Sequence, residues 1–183
     1  MNTFWRDGYG SASLSDLVEA TGVGRASLYN AFADKHGLFE ACVEHYTEDR
    51  VPARMGQLTD GERGLDDIRA FLNFPREAIA ESPEEASKGC LIMKTSVERG
   101  GADPFVREVA ADYRADLGDA FRAALGRALE LGEIEGPIEG HAEVLVLGAM
   151  GLFTALSAGA GAPEINRLIV GLEQLLDSWE RPA

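Results

Sequence analysis

A pair of short helices joined by a tight turn is predicted over residues 13–32, and this pattern constrains the fold more than any other part of the chain. Ser13 is a residue type that caps helices, and Asp16, three positions later, completes a capping-box pattern. Gly22 ends the first helix, because glycine readily adopts the left-handed conformation that a sharp exit requires. Apolar residues recur along one face of this helix: Leu14, Leu17 and Val18. These signals together predict a helix-turn-helix unit.

The second helix of this unit is predicted over residues 24–32 and carries small residues near its start. Leu28 and Phe32 lie four positions apart and are expected to pack inward, while Val23 is expected to fill the core between the two helices. The remaining side chains point outward: Arg25, Ala26, Ser27, Tyr29 and Asn30. Small residues let a helix enter the major groove, and the polar ones supply donors for base edges and phosphates. The pattern predicts a DNA-reading helix, with a helical hairpin that binds no nucleic acid as the alternative.

The run FWRDGYGSASLSDLVEATGVGRASLYNAFADKHGLFEACVEHY, residues 4–46, resembles the DNA-binding domain of the TetR family of regulators. The resemblance implies an all-α protein with an N-terminal three-helix helix-turn-helix domain, residues 1–46, that binds DNA as a dimer. It also implies a helical C-terminal domain, residues 47–183, for ligand binding and dimerisation. By this resemblance the chain is a homodimeric transcription regulator, most simply a repressor that a small-molecule effector releases from a palindromic double-stranded DNA operator.

The same resemblance assigns roles to single residues. Ser13 caps the second helix and touches a phosphate, Asp34 caps the fourth helix, and Lys35 at the start of that helix holds another phosphate. The reading helix contributes the outward side chains described above. The predicted DNA-binding set is Ser13, Arg25, Ala26, Ser27, Tyr29, Asn30 and Lys35.

Two departures from the family pattern concern the DNA-binding domain. Gly24 stands where the family usually has a better N-capping residue, which predicts a less firmly anchored reading helix. Only three residues precede Phe4, where the family has two or three further helical turns, so we expect either an upstream start or a shortened first helix. The alternative function is therefore a dimeric small-molecule-binding protein with a truncated, non-functional DNA head. A third reading is an interaction protein that works only through its apolar helices.

The charge balance limits the kind of nucleic-acid binding. The formal net charge is −14, and residues 1–50 hold four basic against eight acidic side chains, a net charge of −4. This argues against nonspecific coating of nucleic acid and against RNA binding. DNA reading depends on the local face, where Arg25 and Lys35 lie, and we expect modest affinity that is strongly sensitive to salt.

Several other classes of protein find little support in the sequence. Cys42 and Cys90 form no disulfide framework or metal-ligand spacing, and none of the three histidines has a partner at such a spacing. The common hydrolase, phosphate-loop and zinc-protease motifs do not occur, so we expect no enzyme, no cofactor and no metal site. The first residues lack the pattern of a secretory signal, which favours a cytoplasmic protein.

The rest of the chain is predicted to be helical. A fourth helix is expected to start at Lys35 and stop near Pro52, followed by a loop up to Gly64. Helices are then predicted over residues 65–81 (with Pro75 as a point of bending), 88–99, 104–131, 141–160 and 163–179, and an acidic loop over residues 82–87.

The last two helices are too apolar for a solvated surface, and Gly148 and Gly151 allow close approach by a neighbouring helix. We read the pair as half of a four-helix dimer interface, as in the TetR family, with closure of the monomer core as the alternative. Residues 144–162 are uncharged, but their glycines and the flanking Glu143 and Glu164 argue against a membrane span.

An effector pocket is expected among the middle helices, and plain core packing is the alternative for each residue. The candidate lining residues are Phe71, Phe74, Cys90, Met93, Phe105, Tyr113, Phe121, Met150 and Phe153. The segment KGCLIMKTSVE resembles a GCL-containing motif of one TetR subgroup, some members of which sense reactive electrophiles. Cys90 is expected near a helix start and Lys88, which would favour its thiolate; a buried, unreactive thiol is the alternative.

Overall fold

The computed structural model describes residues 1–181, and within them the regular elements are ten α-helices. They are α1 (Asn2–Ser11), α2 (Leu14–Thr21), α3 (Arg25–Phe32), α4 (Lys35–Asp60), α5 (Leu65–Glu81), α6 (Pro83–Ser87), α7 (Leu91–Arg99), α8 (Pro104–Glu130), α9 (Glu139–Ser157) and α10 (Ala162–Asp177). The β-type pairing in this range is an isolated bridge between Ile134 and Glu180. The expected all-α class is confirmed.

The helices form two compact units. The first unit comprises residues 1–52 and 91–110, and the second comprises the described residues from 53 to 90 and from 111 onward. The long helices α4 and α8 each contribute one part to each unit.

An aromatic core holds the first unit together. Phe4 of α1 meets Phe39 of α4 edge to face, with ring centroids 5.4 Å apart, and Trp5 meets Tyr46 in the same way at 5.1 Å. Such edge-to-face pairs stabilise a core beyond the area that they bury. Leu17 and Leu28 are also buried, so α2 and α3 each anchor one leucine inside the unit.

The second unit has its core where Phe71 of α5 packs edge to face on Phe121 of α8 and Phe153 of α9, at 5.4 and 6.0 Å. At the surface of this unit, Arg69 donates to Asp177 and Glu180, both at 2.8 Å. Burial opposes the charge of Arg69, but these two carboxylates outweigh it and raise the pKa of the guanidinium.

The middle of the chain differs from the sequence prediction in two places. The expected stop near Pro52 is wrong, because α4 continues through this proline to Asp60. The expected acidic loop over residues 82–87 is also wrong, because Ser82 accepts a bond from the Glu85 N–H at 3.4 Å and Pro83 begins the short helix α6. The helix α5 has its expected bounds and also runs through an internal proline, Pro75.

Helix α9 is long and apolar enough, by length and composition alone, to cross a membrane. This is weak evidence, because the core helix of a soluble protein passes the same test. In the structure, Leu152 and Leu156 of α9 form a buried cluster with Ile165 and Ile169 of α10, which is the packing of a core helix.

Candidate nucleic-acid interface

The turn between α2 and α3 is built from three residues, of which the first is Gly22. Gly22 adopts the left-handed conformation, with φ of 66°, and its N–H donates to the carbonyl of Val18 at 2.9 Å. This closes α2 as the sequence predicts and turns the chain sharply into α3. Leu28 is 6% exposed and fixes one side of α3 in the first unit.

The opposite side of α3 is open. Arg25, Ala26, Ser27, Tyr29 and Asn30 are all exposed, as predicted. The guanidinium carbon of Arg25 lies 5.5 Å from the centre of the Tyr29 ring, a cation–π distance that orients both side chains along the same face. This face presents an arginine fork, a phenol, an amide and a hydroxyl, which are the groups that bind base edges and phosphates.

The predicted capping box at the start of α2 is present. The Asp16 N–H donates to the Ser13 hydroxyl oxygen at 3.2 Å, and the Ser13 N–H donates to the Asp16 carboxylate at 2.8 Å. The Ser13 side chain and then the Ser13 N–H stabilise the charged Asp16 carboxylate by hydrogen bonds and lower its pKa.

Val23 does not fill the core between the helices. It is 40% exposed, and the expectation of a buried plug is wrong. The Thr21 hydroxyl instead donates to the Leu17 carbonyl at 2.7 Å, while its oxygen accepts the Val23 N–H at 3.3 Å. Hydrogen bonds from a threonine therefore shape the turn, and burial of the valine does not.

Lys35 begins α4, where the Asp34 carboxylate caps the helix by accepting the Gly37 N–H at 2.9 Å. The Lys35 ammonium lies 4.5 Å from the centre of the Tyr9 ring, and the guanidinium of Arg99 lies 3.9 Å from the same ring. Tyr9 therefore holds two cations over its ring. This arrangement fixes Lys35 within the first unit while leaving its side chain partly exposed.

Sequence reasoning did not assign the polar cluster around Asp103, which stands just before α8. Asp103 is 2% exposed and accepts a bond from Arg99 Nε at 3.0 Å, with His36 Nε2 at 3.5 Å. Burial alone would raise the pKa of Asp103, but the bond from Arg99, the Val106 N–H and the nearby His36 hold it below its usual value. The local signal, Asp followed by Pro at a helix start, predicts the cap, and only the fold brings His36 to it.

The candidate effector residues fall in both units. Phe71, Phe121 and Phe153 form the buried aromatic core of the second unit, and Tyr113 and Cys90 are buried there as well. Phe74 is 38% exposed, and Met150 lines a groove of about 410 Å³ beside α8 and α9. Met93 and Phe105 belong to the first unit.

Arg54 is a residue of this region that sequence reasoning did not consider. Its guanidinium lies 5.0 Å from the ring centre of Phe74 and 4.7 Å from that of Phe153. A planar cation next to two candidate lining rings adds a charged group to an otherwise apolar set. Arg54 lies in α4 beyond the predicted end of that helix, so the sequence pattern did not place it near these rings.

Cys90 lies next to a helix start, as expected, and its environment is that of the buried thiol rather than of a thiolate beside Lys88. Lys88 pairs with Glu85, the thiol of Cys90 is fully buried, and the Cys90 N–H donates to the Ser157 hydroxyl at 3.2 Å. Burial is the environment of an unreactive thiol.

Comparison with known proteins gives a consistent result. Residues 1–42 match the sequence profile of the family described as "Bacterial regulatory proteins, tetR family". The chain is 32% identical over 136 residues to YezE of Bacillus subtilis (strain 168), an uncharacterized HTH-type transcriptional regulator, which covers 74% of this chain and 69% of YezE. It is 28% identical over 179 residues to AcnR of Corynebacterium glutamicum, an HTH-type transcriptional repressor, covering 97% of this chain and 84% of AcnR.

The fold is likewise similar to that of a solved regulator. CifR, a TetR family transcriptional regulator whose cysteine mutant was solved with 26-base-pair double-strand operator DNA, superposes with a TM-score of 0.76 and 26% identity. The match covers 97% of this chain and 91% of CifR.

Proposed function

Because this chain belongs to the TetR family of bacterial regulatory proteins, which are non-enzymatic DNA-binding regulators, we propose that it is an effector-responsive repressor that binds a palindromic operator as a homodimer. It acts in the cytoplasm, where its operator lies. The observation that carries the proposal is the open polar face of α3, opposite the buried Leu28.

In this proposal α3 lies in the major groove of the operator. Arg25 and Asn30 read base edges, since an arginine fork matches guanine and an amide matches adenine. Tyr29, Ser13 and Lys35 bind phosphates and fix the register of the helix. Ala26 and Ser27 are small enough to let the backbone of α3 approach the bases.

Dimerisation through α9 and α10 is supported by apolar side chains that residues 1–181 leave exposed. On α9, Val144, Leu147 and Gly151 lie on one face at spacings of three and four, and Leu147 is 70% exposed. On α10, Leu168 is 41% exposed. A second copy that covers these faces would remove apolar surface from water and set two reading helices against two half-sites.

The effector site is proposed among the aromatic residues of the second unit, with Arg54 as its charged group. An effector that carries an aromatic or aliphatic body and an acidic group would satisfy both kinds of side chain. Cys90 remains a predicted lining residue of this site, and Met93 and Phe105 remain sequence predictions that lie in the first unit. Since DNA and effector prefer different arrangements of the dimer, each weakens the binding of the other by the same factor.

The first test is binding of the full chain to the DNA that flanks its own gene, measured by fluorescence anisotropy with excess nonspecific competitor. We expect saturable binding, one dimer per site, that falls steeply as salt rises. A folded dimer that binds none of this DNA would overturn the repressor proposal and favour the small-molecule-binding protein with a non-functional DNA head.

A further inference from the structure

Helix α1 is broken at Gly8, and the break leaves a defined set of backbone groups without helical partners. Gly8 has φ of 80° and ψ of 169°, which lie far outside the helical region, while helical residues stand on both sides of it. In an unbroken α-helix the N–H groups of Tyr9 and Gly10 would donate to the carbonyls of Trp5 and Arg6. The bond from the Ser11 N–H to the Asp7 carbonyl would also span Gly8, so three donors and three acceptors lose their helical partners.

Two side chains of α7 supply partners for four of these six groups. The Glu98 carboxylate accepts the Tyr9 N–H at 2.9 Å with one oxygen and the Gly10 N–H at 2.6 Å with the other. The Lys94 ammonium donates to the carbonyl of Trp5 at 2.9 Å and to that of Arg6 at 2.7 Å. Lys94 and Glu98 are four residues apart, so one turn of α7 replaces two of the three missing hydrogen bonds of α1.

The charges of the two side chains suit the groups that they meet. The carbonyls at the end of the first part of α1 carry partial negative charge, which an ammonium neutralises, and the free amides carry partial positive charge, which a carboxylate neutralises. The approach is also close: a Cβ on Gly8 would lie 2.9 Å from a Glu98 oxygen. Glycine at this position therefore allows both the bend and the contact.

The bend determines where the helix-turn-helix begins. The chain leaves α1 at Ser11, passes through the fully buried Ala12, and starts α2 with the Ser13 cap. The direction in which residues 9–11 leave the bend therefore sets the position of Ser13, and α2 in turn carries α3.

We propose that Lys94 and Glu98 are positioning residues for DNA binding, which hold the bend of α1 and through it the start of the helix-turn-helix. This inference rests on the proposed function, since it concerns the geometry with which α3 meets an operator. Neither side chain needs to touch DNA for the effect.

The test uses the full-length dimer and the variants Glu98→Ala, Glu98→Gln and Lys94→Ala. Val97→Ala is the matched control, because Val97 lies on the same turn of α7 and is 76% exposed. Residue-resolved amide exchange is measured by NMR well below the thermal midpoint, and operator affinity is measured by anisotropy on the same samples.

In Glu98→Ala we expect the Tyr9 and Gly10 amides to exchange about tenfold faster or more, and operator affinity to fall by a similar factor. Glu98→Gln, which keeps one acceptor oxygen, should lie between this variant and the wild type. Lys94→Ala should weaken operator binding with unchanged dimerisation, and Val97→Ala should match the wild type in both measurements.

Unchanged exchange at Tyr9 and Gly10 in Glu98→Ala would show that Glu98 does not hold the bend of α1. Faster exchange with wild-type operator affinity would overturn its role in DNA binding. Failure of the wild type itself to bind operator would contradict the proposed function. The exchange data would still decide separately whether Glu98 holds the bend of α1.

Discussion

Helices α3 and α9 both leave one face open to solvent, but the two faces differ in chemistry. The open face of α3 carries Arg25, Tyr29 and Asn30, whereas that of α9 carries Val144 and Leu147. The hydrogen-bond donors and the cation of α3 gain little from apolar contact and are complementary to a polyanion. The exposed aliphatic side chains of α9 are complementary to another apolar surface. Exposure alone therefore does not define the partner of a helix, because the chemistry of the exposed side chains determines what binds there.

The two helices also differ in how firmly their own unit holds them. Helix α3 has eight residues and buries Leu28, and its N-cap residue is Gly24, which offers no capping side chain. Helix α9 has nineteen residues and buries seven of them. Helix α3 therefore depends on its neighbours for its position, and the DNA contacts that we propose for it should be sensitive to changes that never touch DNA.

The largest expected effect is on the apolar face. In Leu147→Glu a second copy would have to bury a charge, so we expect self-association to weaken by about 100-fold or more, with operator affinity falling alongside it. Sedimentation equilibrium and anisotropy measure the two effects. Leu129→Glu, at an exposed leucine of α8, is the control and should remain dimeric. A dimeric Leu147→Glu would remove α9 from the interface.

The next effect is on the polar face. Arg25→Ala and Tyr29→Ala should each cost about 1–3 kcal/mol of operator binding and leave the dimer intact, because both side chains face away from the core. Arg50→Ala removes the same charge from an exposed position of α4 and serves as the control. Wild-type operator affinity in both α3 variants would reject α3 as the reading helix.

A smaller effect distinguishes phosphate contacts from base contacts. Lys35→Gln should weaken binding about equally for all DNA sequences and reduce the slope of log affinity against log salt by about 1. The measurement is a salt titration of operator and nonspecific DNA. A slope equal to that of the wild type would mean that Lys35 serves only to hold Tyr9, over whose ring it lies at 4.5 Å.

The capping box should contribute modestly to stability. Ser13→Ala removes the acceptor for the Asp16 N–H, and we expect a loss of about 1 kcal/mol and a fall of about 2–4 °C in the thermal midpoint. Ser15→Ala, an exposed serine of the same helix, should leave the midpoint unchanged. Equal midpoints for the two variants would show that the box does not stabilise α2.

The smallest expected effect is on pH dependence. The folded state lowers the pKa of Asp103, so its contribution to stability is present above the pKa of the unfolded chain and disappears as pH falls through the folded value. Below about pH 4, the free energy of unfolding of Asp103→Asn should therefore fall less with decreasing pH than that of the wild type. Asp112→Asn, at an exposed position of α8, is the control. If the free energy of unfolding of Asp103→Asn depended on acid pH in the same way as that of the wild type does, this contribution of Asp103 would be contradicted.

Signals between residues close in sequence were sufficient for part of the fold. The capping box of α2, the left-handed Gly22 and the Asp34 cap of α4 were predicted because donor and acceptor are at most four residues apart. The exposed set on α3 followed from helical periodicity once Leu28 was assigned to the core.

Local signals also misled where packing outweighed them. Pro52 argues for a helix end, yet α4 continues because Val51, Met55 and Leu58 keep one buried face on both sides of it. That burial exceeds the cost of the missing N–H at an exposed proline. Val23 is apolar and still exposed, since the Thr21 hydroxyl already fixes the turn.

The sequence by itself determined the helical class, the helix-turn-helix and which side chains α3 presents, because these depend on spacings of three or four residues. Only the tertiary structure decided what holds that unit. Glu98 lies 88 and 89 residues from the amides that it accepts, and Asp103 lies 67 residues from His36. No local pattern records such a pairing, because it exists only once the intervening helices have packed and brought the groups within hydrogen-bonding or ion-pairing distance.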